Sequence, residues 1–495
     1  MKLKKNISLL VFLVPMFLIA QNILVTDKQG SCEPSIKIDP MDPDRMVAGI
    51  VLDHVAFSED GGHTWTLDNI GSTHGVWGDP VIEADFKGAF YYFHLSNPNE
   101  GHWIDRIVAQ RSDDGGRTWN NGSFTGLNGT KQQDKHWTVV DPATGIIYVT
   151  WTEFDTYGSK SDTCFSRIRF SSSVDQGKSW TEAITISEKE GDCIDDDETT
   201  EGAVPAVGPR SELYVCWANR EGLAFSSSMD GGKTWSPERI IDPMPGGWAM
   251  DIPGIYRANG MPILKVDLSH GPEHGTLYLN WADQRNGEND TDIWLMLSKD
   301  KGETWSAPIR VNNDPPGRQQ FFTWMDVDQS NGKLYLVFYD RRAHDDDYTD
   351  VYLATVEPGG QHIKNQRISD EPFLPTDKIF FGDYTNISVV DGHIRPIWTR
   401  MDAGETSVWT DISEDRMNPM MLELSIPFTL DKSTNLCLWV KGPDGKIKKL
   451  FKKKFSAGPQ QVVYLMDCTE KERGTYSFVL MSGKKKKIWT EERSW

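Results

Sequence analysis

The sequence predicts an all-β chain assembled from repeated antiparallel units, and three observations carry that prediction. The pattern S-x-D-x-G-x-[TS]-W occurs five times, at Ser58–Trp65, Ser112–Trp119, Ser173–Trp180, Ser228–Trp235 and Ser298–Trp305. Short apolar strands recur in the same order around each copy. Gly and Pro are spread evenly, 19 Trp are present, and long amphipathic helical stripes are scarce.

Each fixed position of the pattern has a physical reason. The Asp carboxylate accepts bonds from backbone N–H groups a few residues on, which suits a tight turn. The Gly supplies the positive φ that three- to five-residue hairpin loops need. The Trp opens the next strand, where its ring packs between strands while its N–H finds a partner.

Aligned on these turns, the first strands of the units read Pro34–Ile38, Pro80–Ala84, Trp137–Val140, Ala203–Val207, Ile263–Val266, Thr323–Val327 and Asn386–Val390. Second strands follow at Ile147–Trp151, Leu213–Trp217, Leu277–Trp281, Leu334–Phe338 and Ile394–Trp398. That gives seven units, the last two without the turn motif. The seventh lacks a fourth strand after Val408–Ile412, and Asn22–Asp27 resembles the fourth strands Arg239–Asp242 and Ile309–Asn312. The N-terminus is therefore expected to complete the last unit, which closes the ring and removes its open edges.

The five turns resemble the Asp-box, or BNR, repeat of the sialidase-like β-propellers, with Asp60, Asp114, Asp175, Asp230 and Asp300 as the structural acids. The resemblance covers about residues 21–414 and implies a β-propeller. Seven blades are expected, with six as the alternative because catalytic sialidases have six. Asp251–Arg257, Trp281–Gly287 and Phe380–Tyr384 are similar to inner stretches of secreted proteins of the exo-α-sialidase family. A secreted glycoside hydrolase acting on terminal sugars is implied, the alternative being a non-catalytic glycan- or protein-binding surface propeller.

From Asp415 the pattern changes. Leu422–Leu430, Leu436–Val440, Gln461–Leu465 and Tyr476–Leu480 alternate like strands of a small sandwich. With the turn at Gly442–Gly445, residues 415–495 resemble the Ig-like C-terminal domains of type IX secretion cargo. That implies a sorting or accessory module, with attachment at the cell surface.

Residues 1–20 combine a basic start, an apolar run from Ile7 to Ile19 and Ala20, and read as a secretory signal peptide. No other apolar segment approaches the roughly 20 residues of a spanning helix, so a secreted or surface location without a transmembrane segment is expected. Six Cys are too few for a cysteine-stapled scaffold. Cys164 with Cys193, or Cys437 with Cys468, are candidate bridges. The net charge of −20 conceals a basic C-terminal part, with 15 Lys and Arg against 8 Asp and Glu from Asn418 on. An acidic body speaks against nucleic acid as partner, because that affinity rests on neutralising phosphates. A glycan or glycoconjugate is the expected partner.

In such a ring the segments leading into the first strands line one mouth. They carry Glu33, Asp79, Asp134, Lys135, His136, Glu201, Asp251, Arg318, Asp383 and Tyr384. Convergent carboxylates supply the acid, base or nucleophile of glycoside hydrolysis, so Asp383, Asp79 and Glu201 are candidate catalytic groups, with Tyr384 as candidate nucleophile. Glu33, Asp251, Arg257, Arg285, Arg318 and Arg341 are candidate substrate contacts, because guanidinium groups grip carboxylates bidentately. The F/Y-R-I-P signature of catalytic sialidases is absent; the corresponding strand reads Glu33-Pro-Ser-Ile36. No cofactor is expected. Asp345, Asp346, Asp347 and Asp350 form the candidate Ca²⁺ cluster.

Overall fold

The computed structural model describes residues 22–412, 421–441, 447–467, 475–482 and 486–494. The segment 1–20, read above as a signal peptide, and the turn expected at 442–445 lie outside them. The chain divides into two compact units between Ser413 and Glu414, and all regular elements among the described residues are strands.

The first unit holds seven four-stranded antiparallel sheets, six of them running strictly in chain order. The seventh joins Asn386–Val390, His393–Asp402 and Glu405–Asp411 to Asn22–Thr26, whose Leu24 stands opposite Trp409. The first strands are Ser35–Asp39, Val81–Ala84, Gln132–Val140, Glu201–Val207, Ile263–Val266, Gln320–Asp328 and Asn386–Val390. Residues from all seven line one cavity of about 400 Å³. Its wall is largely β-branched and aliphatic, interrupted by the ion pairs Lys37–Glu83 at 3.0 Å and Lys265–Asp326 at 3.4 Å.

The five S-x-D-x-G-x-[TS]-W turns share one hydrogen-bond pattern. Asp230 Oδ1 accepts the Thr234 N–H at 2.9 Å and the Ser228 hydroxyl at 2.8 Å, while Oδ2 accepts the Thr234 hydroxyl at 2.7 Å. These bonds hold the Asp230 carboxyl down at about 2. The Gly is required twice over: Gly232 has φ +87°, and a Cβ there would come within 2.3 Å of the Phe170 ring on the preceding sheet. Trp235 then donates to the Gly232 carbonyl at 3.2 Å and packs edge-on against Phe170. The motif thus fastens each sheet to the one before it.

The second unit has two sheets. Met421–Leu430 pairs with Gly458–Asp467, and Ile447–Phe455, Thr434–Lys441, Thr475–Ser482 and Lys486–Ser494 form the other in that order. Its described core includes Phe428, Leu436, Leu438, Phe478 and Leu480. The Lys-rich strand Ile447–Phe455 gives little sequence signal of a strand, because its charges mask the alternation. Cys437 lies in this unit; Cys468 lies outside the described residues.

Candidate functional site

Where the chain turns into a first strand, it repeatedly passes through the left-handed region. Glu33, Asp79 and Lys135 have φ of 48°, 49° and 45°, and Gly202 has φ 72°. Register shifts mark bulges at Asp134/Trp137 and Glu201/Val204. A bulge re-aims a side chain that strand alternation would otherwise send to the wrong face. These devices gather groups from distant sequence positions into one acidic cluster.

Asp383 lies at its centre, 2 % exposed. It accepts a bond from Lys135 Nζ at 2.5 Å and one from Arg257 Nε at 2.7 Å, and its backbone N–H donates to Glu33 Oε1 at 3.1 Å. Lys135 Nζ also lies 3.6 Å from Asp79 Oδ2. Arg257 continues to Asp195 at 3.1 Å, and Asp195 accepts bonds from the Tyr157 hydroxyl at 2.9 Å and the Trp248 indole at 2.7 Å. Glu201 is fully buried; Oε2 takes a long bond from Thr199 at 3.4 Å, and Oε1 has no hydrogen-bond partner among the described residues.

Six carboxylates therefore share two cations, and Asp383, Asp134, Glu201 and Glu33 shift in different directions accordingly. Burial would raise Asp383, but Lys135 and Arg257 outweigh it and hold the carboxyl well below the usual range. Burial would lower Lys135; Asp383, Asp79, Asp134 and Glu33 hold it well above the ordinary lysine value instead. Burial, resisted by Lys135 and aided by Asp79 and Asp195, pushes Asp134 up to about 8. Burial followed by the Asp195 and Asp134 charges pushes Glu201 well up, and burial followed by Asp79 does the same to Glu33. Burial holds His136 at about 4, so its imidazole is neutral at pH 7.

Tyr384 forms the floor. Its ring lies 5.1 Å from Trp137, which packs tilted against Trp324 at 4.2 Å; both Trp residues also line the 400 Å³ cavity. Burial, then Glu33, Asp79 and Asp383, raises its phenol well above the ordinary value.

The structure thus brings together Asp79, Glu201, Asp383, Tyr384, Glu33 and Arg257 from the sequence candidates. Asp251 is exposed on the hairpin loop whose short strands, Ala249–Met250 and Ala258–Asn259, support Arg257. The remaining arginines are engaged elsewhere. Arg285 binds Asp283 and, at 2.7 Å, Asp242. Arg318 pairs with the exposed Asp345. Arg341, 3 % exposed, donates to the Pro253 carbonyl at 2.7 Å and to Asp347 at 3.1 Å.

The Ca²⁺ candidate does not fit. Asp345 and Asp347 face Arg318 and Arg341, Asp346 accepts the Tyr348 N–H, and Asp350 accepts from His344 and Ser369. Each carboxylate is spent on a different partner, and no metal-binding group of three or more such side chains occurs among the described residues.

Sequence reasoning missed Tyr157 and Asp195. Asp195 stands in Asp195-Asp-Asp-Glu198, which reads as a solvated acidic loop. The disulfide Cys164–Cys193 ties its segment to the loop carrying Tyr157, with Gly158 N–H donating to the Cys193 carbonyl at 2.7 Å. Reduction, or Cys164→Ser, is expected to cost roughly 3–4 kcal/mol by the chain-entropy estimate for a loop of this size. Chemical denaturation with and without reductant checks this; an unchanged midpoint would mean that the disulfide contributes nothing.

No family model and no curated protein matches the chain. Among solved structures it is similar to a Hadza microbial sialidase (16% identity, TM-score 0.43, covering 74% of this chain and 74% of that one). It is similar to the NanB sialidase of Streptococcus pneumoniae (12%, TM-score 0.44, 76% and 82%). An α-L-arabinanase of Penicillium chrysogenum matches at 15%, with TM-score 0.42 and coverage of 68% and 97%. These are distant likenesses.

Proposed function

We propose that the chain is an exported glycoside hydrolase of the sialidase-like kind, with its seven sheets as the blades of one closed propeller and the acidic cluster as its active site. In this reading residues 21–414 are the propeller, the five turns are Asp-boxes, and residues 415–495 are an accessory or sorting module. Support for export comes from the leader-like residues 1–20 and from the disulfide, which persists in oxidising compartments.

The carrying observation is Glu201, fully buried with one carboxylate oxygen unpartnered beside Asp134. Such a group is costly to bury unless a ligand completes its bonding. Asp134 keeps its proton near neutral pH, and burial with the Asp195 and Asp134 charges raises Glu201 in the same direction, so both suit the general acid. Asp79, held near Lys135, is the candidate base or nucleophile. The charged, doubly bridged Asp383 suits orienting Lys135 and Arg257, and the raised phenol of Tyr384 suits the floor better than nucleophilic attack.

The substrate is a neutral terminal sugar. Arg257 is the one candidate arginine bonded within the cluster, and it is already committed to Asp383 and Asp195, so an anionic sugar would meet excess negative charge. A second reading, a glycan-binding propeller without catalysis, is favoured by one feature: the void lined by Asn259, Met261, Asp383 and Tyr384 has no room for a water.

Release of fluorophore from neutral hexosides, a pentoside and a sialoside tests both. Turnover of a neutral glycoside, constant through neutral pH and falling above about 8 as Asp134 loses its proton, is expected. Turnover of the sialoside alone would overturn the neutral-substrate assignment. Absence of turnover with retained glycan-array binding would favour the binder.

The same protonation predicts stability. Asp134 keeps its proton to about 8 in the folded chain and to about 3.9 when unfolded. The folded state therefore binds more protons across that window, and stability falls as pH rises from about 4 to 8. Melting temperature against pH should show this fall, flattened in Asp134→Asn; identical slopes would sink the assignment.

A further inference from the structure

Two large indoles stand uncovered beside the acidic cluster. Trp77 and Trp103 are each 39 % exposed. Their rings meet edge to face at 6.0 Å, and Trp103 meets Tyr157 in the same way at 5.8 Å. The three come from three separate loops, of which the first leads directly into Asp79 and the last bonds to Asp195.

The arrangement is held rigidly. The Ile104 carbonyl, next to Trp103, accepts the Gln133 N–H at 2.7 Å, and the Tyr157 N–H donates to Gln132 Oε1 at 3.0 Å. Both anchors lie on the strand that carries Asp134 and Lys135. Asp105 fixes the same loop through Ser96 at 3.0 Å and Arg106 at 2.7 Å. Trp77 is fastened by its own N–H to the Leu95 carbonyl at 2.9 Å. Apolar rings pre-positioned at a mouth, with their ordering cost already met by the fold, mark a binding surface rather than incidental exposure.

We infer that Trp77, Trp103 and Tyr157 form a stacking subsite for a second, neutral sugar ring of the glycan whose terminal residue enters the acidic cluster. The inference rests on the reading of that cluster as a glycan site. A pyranose presents an apolar C–H face and a rim of hydroxyl donors. The first suits the indoles; the second suits the carboxylates of the mouth, Asp79 beside Lys135 and Glu201, whose Oε1 has no hydrogen-bond partner among the described residues. A quaternary ammonium ligand could also use aromatic faces and carboxylates. Lys135 and Arg257 in the same mouth oppose it.

The test uses the full chain and four neutral tetrasaccharides of gluco, xylo, galacto and N-acetylgluco configuration, followed by tryptophan fluorescence. At least one should bind, and Trp77→Ala or Trp103→Ala should each weaken it about tenfold, with melting temperature kept. Phe86→Ala, an exposed ring on the far end of the channel wall, should bind as wild type. In turnover, the Trp variants should lose kcat/KM on the tetrasaccharide while an aryl monosaccharide is cleaved as before. Wild-type tetrasaccharide binding in both Trp variants would overturn the subsite and leave the hydrolase reading standing. Trp-dependent binding without any turnover would keep the subsite and sink the hydrolase. Displacement of the bound probe by choline, or choline binding with no tetrasaccharide bound, would assign the wall to a cation and overturn the inference.

Discussion

Glu201→Gln is expected to lower turnover by about 10²- to 10⁴-fold while the melting temperature stays close to wild type. The magnitude is that of removing a positioned proton donor. The fold should tolerate the change because burial raises the Glu201 carboxyl well above its ordinary value and so favours its neutral form, whose size and neutrality an amide reproduces. Above the unfolded carboxyl value of about 4.3 the variant should gain on wild type as pH rises, since it lacks the carboxyl whose raised folded value makes stability fall there. Parallel measurement of kcat and thermal unfolding decides the matter. Undiminished kcat would remove Glu201 from the mechanism, and loss of fold would mean that its role is structural.

Asp383→Ala is expected to have the largest effect on stability. The carboxylate is 2 % exposed and bridges Lys135, itself 4 % exposed, to Arg257. Removing one member of a buried ion pair leaves an uncompensated charge and costs roughly 3–5 kcal/mol. Asp79 at 3.6 Å from Lys135 offers partial relief. Lys135→Met in the same chain should recover part of the loss, because the two substitutions share one interaction.

The pH dependence follows from the depressed Asp383 value. Its contribution is present above the unfolded carboxyl value of about 3.9 and is lost as pH falls through the folded value. The acid limb of the stability profile should therefore be shallower in Asp383→Ala. Denaturant midpoints equal to wild type from pH 3 to 8 would show that the bridge carries no stability.

Much of this protein is determined locally and is legible in the sequence. The five turn motifs state their own geometry, because their Ser, Asp and Thr or Ser groups bond within seven residues of one another, and in three of them the Trp also bonds the motif's own Gly carbonyl. The seven first strands are equally plain, since each is short, largely apolar and holds the same place in the order of its unit. Asn22–Thr26 reads as a fourth strand for the same reason, and it pairs with Glu405–Asp411.

The site is legible only in part. Position before a first strand pointed to Glu33, Asp79, Glu201 and Asp383, but not to the opposite shifts of Asp383 on one side and Glu33 and Glu201 on the other. That difference depends on which of them reaches Lys135 and Arg257, and the left-handed bulges decide it. Arg257, Arg285, Arg318 and Arg341 look alike in the sequence, yet among them Arg257 is the one bonded within the cluster, because the others meet acids on their own or adjacent loops. Tyr157, Asp195, Trp77 and Trp103 carry no local mark. Their roles arise from long-range contacts among loops tens of residues apart, fastened by a disulfide and by the strand Gln132–Val140. Local bonding is written into the order of residues, whereas the charge and shape of the mouth come from side chains that meet only when the sheets pack.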